Sequence, residues 1–302
     1  MKIFYHADLD GECSAYWVRR AIEEKKITED SYFIKFIKID YDLTFPIDTI
    51  KKNEQVVIVD FSIPTTMMDS LLEITDNVIW IDHHLSAIKS YEEYPKMDKI
   101  KGVQKNDKKS GCYLTYQFFF GDKVPFFTEV ISDFDVWTLS IPNVLEFVSA
   151  TSCYNTNPMS SFFKMLEFDE GGDFKLVEKI MNEGKTTLKY AQKYGDEILK
   201  KFGFSAILEG HTVICMNAAK FNSVLFGKLI DEYDICSPFV FDGEQYNYSL
   251  YTKNPKIDVS EIAKKFKGGG HKGASGFRSK ELVFKDIKII KELEITEMEI
   301  GK

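Results

Sequence analysis

The sequence predicts an α/β protein: a largely parallel sheet in the N-terminal half, then a helical connector, then a smaller α/β domain. Two observations carry this expectation. Short apolar runs alternate with helical periodicity through the first half, the pattern of a parallel sheet crossed by helices. A charged helical stretch follows, and after it a second series of strand-like runs begins. The boundaries fall at 1–153, 154–203 and 204–302, and 302 residues suffice for two separate cores.

Taken in order, residues 2–6 form the first strand. From Gly11 to about Lys26, Ala15, Val18, Ala21 and Ile22 recur at helical spacing. Tyr32 to Ile39, Gln55 to Asp60 and Asn77 to Asp82 are the next strands. Pro64-Thr65 opens a helix reaching about Ile74, since proline is tolerated in a first turn. Residues 89–109, rich in lysine and aspartate, are expected to be an exposed loop. Helices resume over Gly111–Phe120 and Pro125–Trp137, and again between Tyr154 and Lys201 with a break at Gly171-Gly172. The last domain opens with strands at Ser205–Leu208 and Thr212–Met216 and a helix around Val224 to Ile230. Strands at Pro238–Phe241 and Tyr246–Tyr251, a short helix at Val259–Phe266 and a glycine-rich tract complete it.

Hydrophobic content of 44% and charged content of 28% are those of an ordinary soluble globular protein. No apolar run approaches the ~20 residues of a membrane span, and no cleaved signal peptide is expected where a strand bearing candidate ligands begins at once. Five cysteines without a Cys-x-x-Cys pair suggest reduced thiols and a cytoplasmic location. A net charge of −8 argues against a long, sequence-independent grip on duplex nucleic acid. Arginine occurs only at 19, 20 and 278, so phosphate recognition must lean on lysine, histidine, backbone N–H groups and metal.

Four acidic or imidazole clusters end apolar runs. Asp82-His83-His84 follows Val78-Ile79-Trp80-Ile81, and His6-Ala7-Asp8-Leu9-Asp10-Gly11 follows Lys2-Ile3-Phe4-Tyr5. Asp60 follows Val56-Val57-Ile58-Val59, and Asp133 follows Val130-Ile131-Ser132. Such groups are penalised in apolar surroundings but suit divalent cations. If the first strand continues through Asp10, then His6, Asp8 and Asp10 share a face, and Gly11 permits a sharp turn. The alternative is an Asp-rich turn with Asp10 capping the helix. Asp60 alone would pass for a cap, and Asp133 and Asp135 for solvated carboxylates; the role of Asp135 stays open. Open α/β sheets bind ligands beyond the C-terminal ends of their strands, where these groups would collect. Gly268-Gly269-Gly270, followed by His271 and Lys272, suits a nest that approaches an anion, with a flexible turn as the alternative.

These motifs resemble the DHH phosphoesterase superfamily. Asp8-Leu9-Asp10-Gly11, Asp60, Asp82-His83-His84 and Ser132-Asp133 look like its four N-terminal motifs in order, and Gly268-Gly269-Gly270-His271 looks like the motif of its associated C-terminal domain. Members with this pairing include RecJ-type exonucleases and bacterial nanoRNases acting on short oligonucleotides and linear dinucleotides. The resemblance implies two Mn2+ ions in a cleft between the domains, with Mg2+ or Co2+ as substitutes. It places His6, Asp8 and Asp60 on one ion and Asp10, Asp60, His83 and Asp133 on the other, with Asp60 bridging. His84 would donate to the scissile phosphate and Asp82 would orient an imidazole. Gly268, Gly269, Gly270 and His271 would hold the terminal nucleotide or its phosphate.

Two departures stand out. Many relatives place the first histidine four residues before the first aspartate, where this chain has Phe4. A serine–leucine–arginine segment is replaced by Ser249-Leu250-Tyr251, so Tyr251 would take over by hydrogen bonding or stacking. The expected activity is metal-dependent hydrolysis of short single-stranded oligonucleotides or dinucleotides from one end, without membrane or stable duplex binding. A homodimer stays open. The rivals are a pyrophosphate or polyphosphate hydrolase and a non-catalytic metal- or nucleotide-binding protein.

Overall fold

A computed structural model describes residues 1–27, 33–41, 43–105, 107–219, 222–270 and 272–289. The chain divides into two compact units, Met1–Leu188 and Lys189–Lys302.

The first unit runs β1 (Lys2–His6), α1 (Leu9–Glu23), β2 (Lys35–Ile39), β3 (Val56–Val59), α2 (Thr65–Ile74), β4 (Val78–Asp82), α3 (Leu85–Tyr91) and β5 (Ile100–Gln104). There follow α4 (Gly111–Phe120), α5 (Phe126–Asp135), α6 (Val144–Thr151), α7 (Phe162–Glu170) and α8 (Lys175–Phe202), which crosses the division. Its five strands are all parallel, in the order β2-β1-β3-β4-β5.

Alternation along each strand sends side chains to two faces. Phe4, Val56, Ile58, Val78 and Trp80 pack with Met68 and Leu71 of α2 and Tyr91 of α3. Ile3, Tyr5, Val57, Val59, Ile79 and Ile81 pack with Ala15, Val18 and Ala21 of α1 and Leu114 of α4. With both faces covered, the strands must be apolar throughout, as Val56–Val59 are. A third cluster, including Trp17, Phe127, Val130, Phe147, Phe163 and Ile180, joins α1 to α5–α8.

The order 2-1-3-4-5 reverses direction between β1 and β3. At such a switch point the connections leave opposite faces of the sheet and open a crevice beyond the strand C-termini. His6 ends β1 and Asp60 directly follows β3.

The second unit contains β6 (Phe204–Leu208), β7 (His211–Asn217), α9 (Leu229–Glu232), β8 (Ile235–Phe241), β9 (Tyr246–Tyr251), α10 (Val259–Lys265), β10 (Gly269–Gly270), β11 (Ala274–Ser279) and β12 (Lys285–Ile289). They form a seven-stranded mixed sheet, β10-β11-β9-β8-β7-β6-β12. Among the described residues, no helix is long and apolar enough to cross a membrane.

Several elements differ from expectation. Residues 89–109 are not one loop: they contain the end of α3 and β5. β5 borders only β4 and carries just two aliphatic residues, Ile100 and Val103, so its apolar signal is faint. The expected helix around Val224 to Ile230 is a 3-10 turn, Ser223–Phe226, followed by the single turn of α9. β2 begins at Lys35, and Tyr32 lies outside the described residues.

Candidate metal centre

β1 stops at His6 and does not continue through Asp10. Asp8 is the N-cap of α1, its Oδ1 accepting from the Gly11 N–H at 2.8 Å, and Asp10 lies in the first helical turn. Capping satisfies an N–H that a continuing strand would leave unpaired. Gly11 is required for close approach rather than for a turn, since a Cβ there would lie 2.2 Å from the His6 carbonyl oxygen.

Asp10 does cap a helix, but it is α4. Its Oδ1 accepts from Ser110 Oγ at 2.6 Å and the Cys112 N–H at 2.9 Å, and its Oδ2 accepts from the Gly111 N–H at 2.7 Å. The start of a helix is a favourable seat for an anion. These donors stand 100 to 102 residues away in sequence, so no local pattern reveals them.

Asp60 occupies the space between β1 and β4. It is buried in left-handed backbone, with φ of 52°, a conformation that aspartate tolerates better than bulky residues. Among the described residues neither of its side-chain oxygens has a hydrogen-bond partner. His83 Nε2 lies 3.1 Å from Oδ1, and His6 Nδ1 lies 3.7 Å from Oδ2. His6 Nδ1 is also 2.7 Å from Asp8 Oδ2, while His83 Nε2 is 3.3 Å from Asp135 Oδ2 and 3.8 Å from Asp10 Oδ2. Three sets of donor atoms thus converge, each within 4.8 Å: His6, Asp8 and Asp60; Asp60, His83 and His84; Asp10, His83 and Asp135.

Asp133 does not join them. Its carboxylate accepts from Ser140 Oγ at 2.7 Å and the Ile141 N–H at 2.9 Å, and so folds the loop after α5. Positions two apart on a helix point about 200° apart, so Asp133 and Asp135 cannot both face the centre. Asp135 does, with a buried Oδ2 that has no hydrogen-bond partner among the described residues.

Asp82 is fully buried, and its Oδ1 accepts from the backbone N–H groups of His83 and His84 at 2.8 and 3.2 Å. The same oxygen is 2.6 Å from His84 Nδ1, which directs the imidazole. Asp40, following β2, stands 3.7 Å from His6 Nε2 and was not singled out from sequence. Its signal is weaker than that of Asp60, because β2 is interrupted by Lys38 and is not a continuous apolar run.

In the second unit the glycine tract is not a loose turn. The Gly268 N–H closes α10 onto the Ala263 carbonyl at 2.9 Å, and Gly269 and Gly270 pair with Gly276 and Ser275. A Cβ at Gly268 would lie 2.1 Å from the Gly276 carbonyl oxygen. Tyr251 ends β9 opposite Ala274 and packs against the cluster containing Ile214 and Cys236. His271 lies outside the described residues.

Burial, reinforced by the Asp10 and Asp8 carboxylates, pushes Asp60 and Asp135 well above the ordinary 3.8. Burial opposes the charge on His84 too, but the Asp82 carboxylate outweighs it and raises that imidazole above 6.5. His6 is likewise raised, burial being outweighed by Asp40, Asp60 and Asp8. Burial and then His84 lower His83. Burial disfavours the Asp8 and Asp82 anions, yet His6 holds Asp8 low and His84 holds Asp82 low.

These shifts have a testable sign. Raised carboxylates in the folded state favour bound protons, so their contribution to stability falls as pH climbs above 3.8 towards their folded values. Raised His6 and His84 act in the same direction above 6.5, whereas lowered His83 adds stability as pH rises towards 6.5 and nothing further above it. Asp8 and Asp82 lose their contributions only as pH falls below 3.8. A divalent cation displaces the protons, so manganese should raise the melting temperature by several degrees more near pH 8 than near pH 6. Equal shifts at both values would contradict a cation among these groups.

The residues fit divalent ions on two observations. Buried carboxylate oxygens of Asp60 and Asp135 have no hydrogen-bond partner among the described residues, a costly state that a cation relieves. Space is also kept open: a Cβ at Gly111 would lie 2.6 Å from Asp60 Cβ, 2.8 Å from Asp60 Oδ1 and 2.9 Å from Asp10 Oδ2. Gly111→Ala should therefore weaken manganese binding by about tenfold or more, with the fold retained. Isothermal titration of the variant checks this, and unchanged affinity would refute it.

Residues 1–133 match the model of the DHH family, N-terminal domain. The match covers the N-terminal region, which is similar to that DHH domain. The solved DHH domain of a member of a ribosomal-protein family superposes with a TM-score of 0.51 at 14% identity, covering 94% of this chain and 82% of that one. That likeness shows a shared DHH fold. A pGpG-specific phosphodiesterase, PggH, from Vibrio cholerae is similar with a TM-score of 0.44 at 12% identity, covering 92% of each chain. Uncharacterized protein R106 of Acanthamoeba polyphaga mimivirus is 28% identical over 254 residues. The match covers 78% of this chain, which spans about half (55%) of the viral protein.

Proposed function

We propose that this protein is a two-metal phosphodiesterase that hydrolyses short oligonucleotides or linear dinucleotides from one end. The observation that carries the reading is Asp60, whose two oxygens, without a hydrogen-bond partner among the described residues, face His83 on one side and His6 on the other. His6, Asp8 and Asp60 would hold one ion, and Asp10, Asp60, His83 and Asp135 the other. Manganese is the ion that the family resemblance implies, with Mg2+ or Co2+ as substitutes. Bound there, two divalent cations supply a water of lowered pKa and neutralise charge growing on the phosphoryl oxygens.

The chain's own groups do the rest. Asp10 is held rigid by the start of α4, so its position costs no reorganisation when substrate binds. Asp82 fixes the His84 ring through Nδ1, and His84 would donate to the scissile phosphate. The substrate-holding roles of Gly268, Gly269, Gly270, His271 and Tyr251 belong to the same proposal.

A net charge of −8 offers no broad basic track for a long strand, which favours short substrates. With manganese present, hydrolysis should be fastest at about five nucleotides or fewer, a length that suits a cleft-sized site. Duplexes should be poor substrates, and activity on long strands should rise modestly as salt screens repulsion. Rates measured on labelled strands from about two to about thirty nucleotides, with pyrophosphate alongside, test this. A rate climbing steadily with length, or a preference for pyrophosphate, would overturn it.

A further inference from the structure

Tyr41 is 53% exposed although its ring lies beside the candidate metal ligands, with centroids 5.5 Å from His6 and 6.1 Å from His84. It is not a loose side chain. The ring stacks on buried Phe61 at 4.6 Å with 29° between planes, and its hydroxyl meets Ser62 Oγ at 3.3 Å. Its backbone is tied to the same centre: the Tyr41 N–H donates to Asp40 Oδ1 at 2.7 Å, the oxygen that stands 3.7 Å from His6 Nε2. One carboxylate oxygen thus holds the start of the tyrosine and stands near the histidine.

From this geometry we infer that Tyr41 is a stacking platform for the nucleobase of the nucleotide whose phosphate sits at the metal centre. A rigid aromatic ring in water gains by covering its face, and pre-organisation against Phe61 and Ser62 lowers the entropy lost on binding. Every nucleobase offers such a face, whereas phosphate and pyrophosphate offer none. Tyr41 therefore selects nucleotidyl phosphodiesters over inorganic phosphates. The inference rests on the phosphodiesterase reading and names the residue that would confer its preference for nucleotides.

The test uses the full manganese-loaded chain, with AMP and orthophosphate as calorimetric probes. Tyr41→Ala should weaken AMP binding on the order of tenfold to hundredfold, the usual range for loss of a base–aromatic stack. Orthophosphate affinity and manganese stoichiometry should hold, and Tyr41→Phe should retain AMP affinity because the ring is kept. Three results would overturn the inference: AMP affinity unchanged in Tyr41→Ala, equal losses for AMP and orthophosphate, or a loss in Tyr41→Phe matching that in Tyr41→Ala. Wild-type turnover of a diadenylate separates the two readings. Wild-type protein that cleaves pyrophosphate and not diadenylate contradicts the phosphodiesterase. Diadenylate cleavage with AMP affinity indifferent to Tyr41→Ala contradicts only the platform.

Discussion

Asp60→Asn is expected to abolish turnover while making the metal-free protein more stable. In the proposed centre Asp60 gives an anionic oxygen to each of two ions, which an amide cannot do, so the bridging position would be lost. A fall of about a thousandfold in turnover, roughly 4 kcal/mol of transition-state stabilisation, is expected. Stability should move the other way, because a buried carboxylate pressed by burial, Asp10 and Asp8 is replaced by a neutral group of the same shape. Asparagine also tolerates the left-handed backbone that Asp60 adopts at φ of 52°. Relief of about 1 kcal/mol would raise the melting temperature of the chelated protein by a few degrees. Near-normal turnover with a full complement of manganese in this variant would remove Asp60 from the centre.

Asp135→Asn and Asp133→Asn should separate cleanly, although the two residues share one helix end. Asp135 Oδ2 faces His83 at 3.3 Å, so its loss should weaken one ion and lower turnover by about a hundredfold with little change in melting. Asp133 accepts from Ser140 and Ile141 while almost wholly buried, so its substitution should cost about 1–3 kcal/mol of stability. Metal titration and thermal melts on both variants check this. The reverse pattern would return the second ion to Asp133.

How far each feature could be read from sequence depended on how local its cause is. β1, β3 and β4 are covered on both faces, so each carries at least three consecutive apolar residues and they stand out from the chain. β5 sits at the edge with one neighbour, and its pattern of Ile100, Gly102 and Val103 resembles a loop. The α/β class and parallel sheet followed from the strong strands alone. At the centre, His6, Asp60 and His83 were visible because each closes or follows one of those strands. The seat of Asp10 on α4 was not, since Ser110, Gly111 and Cys112 reach it only through the tertiary fold. The choice between Asp133 and Asp135 depends on the rotational setting of α5, which periodicity does not resolve at a helix end. Tyr41 follows β2 in sequence, yet its place beside His6 comes from the pairing of β1 with β2.

Anomalous diffraction across the manganese absorption edge, from crystals grown with the ion, tests the metal centre most directly. Two peaks are expected: one among His6, Asp8 and Asp60, and one among Asp10, Asp60, His83 and Asp135, with Asp60 giving one oxygen to each. A single peak, or ions that leave Asp60 uncoordinated, would contradict a two-metal centre built on that residue.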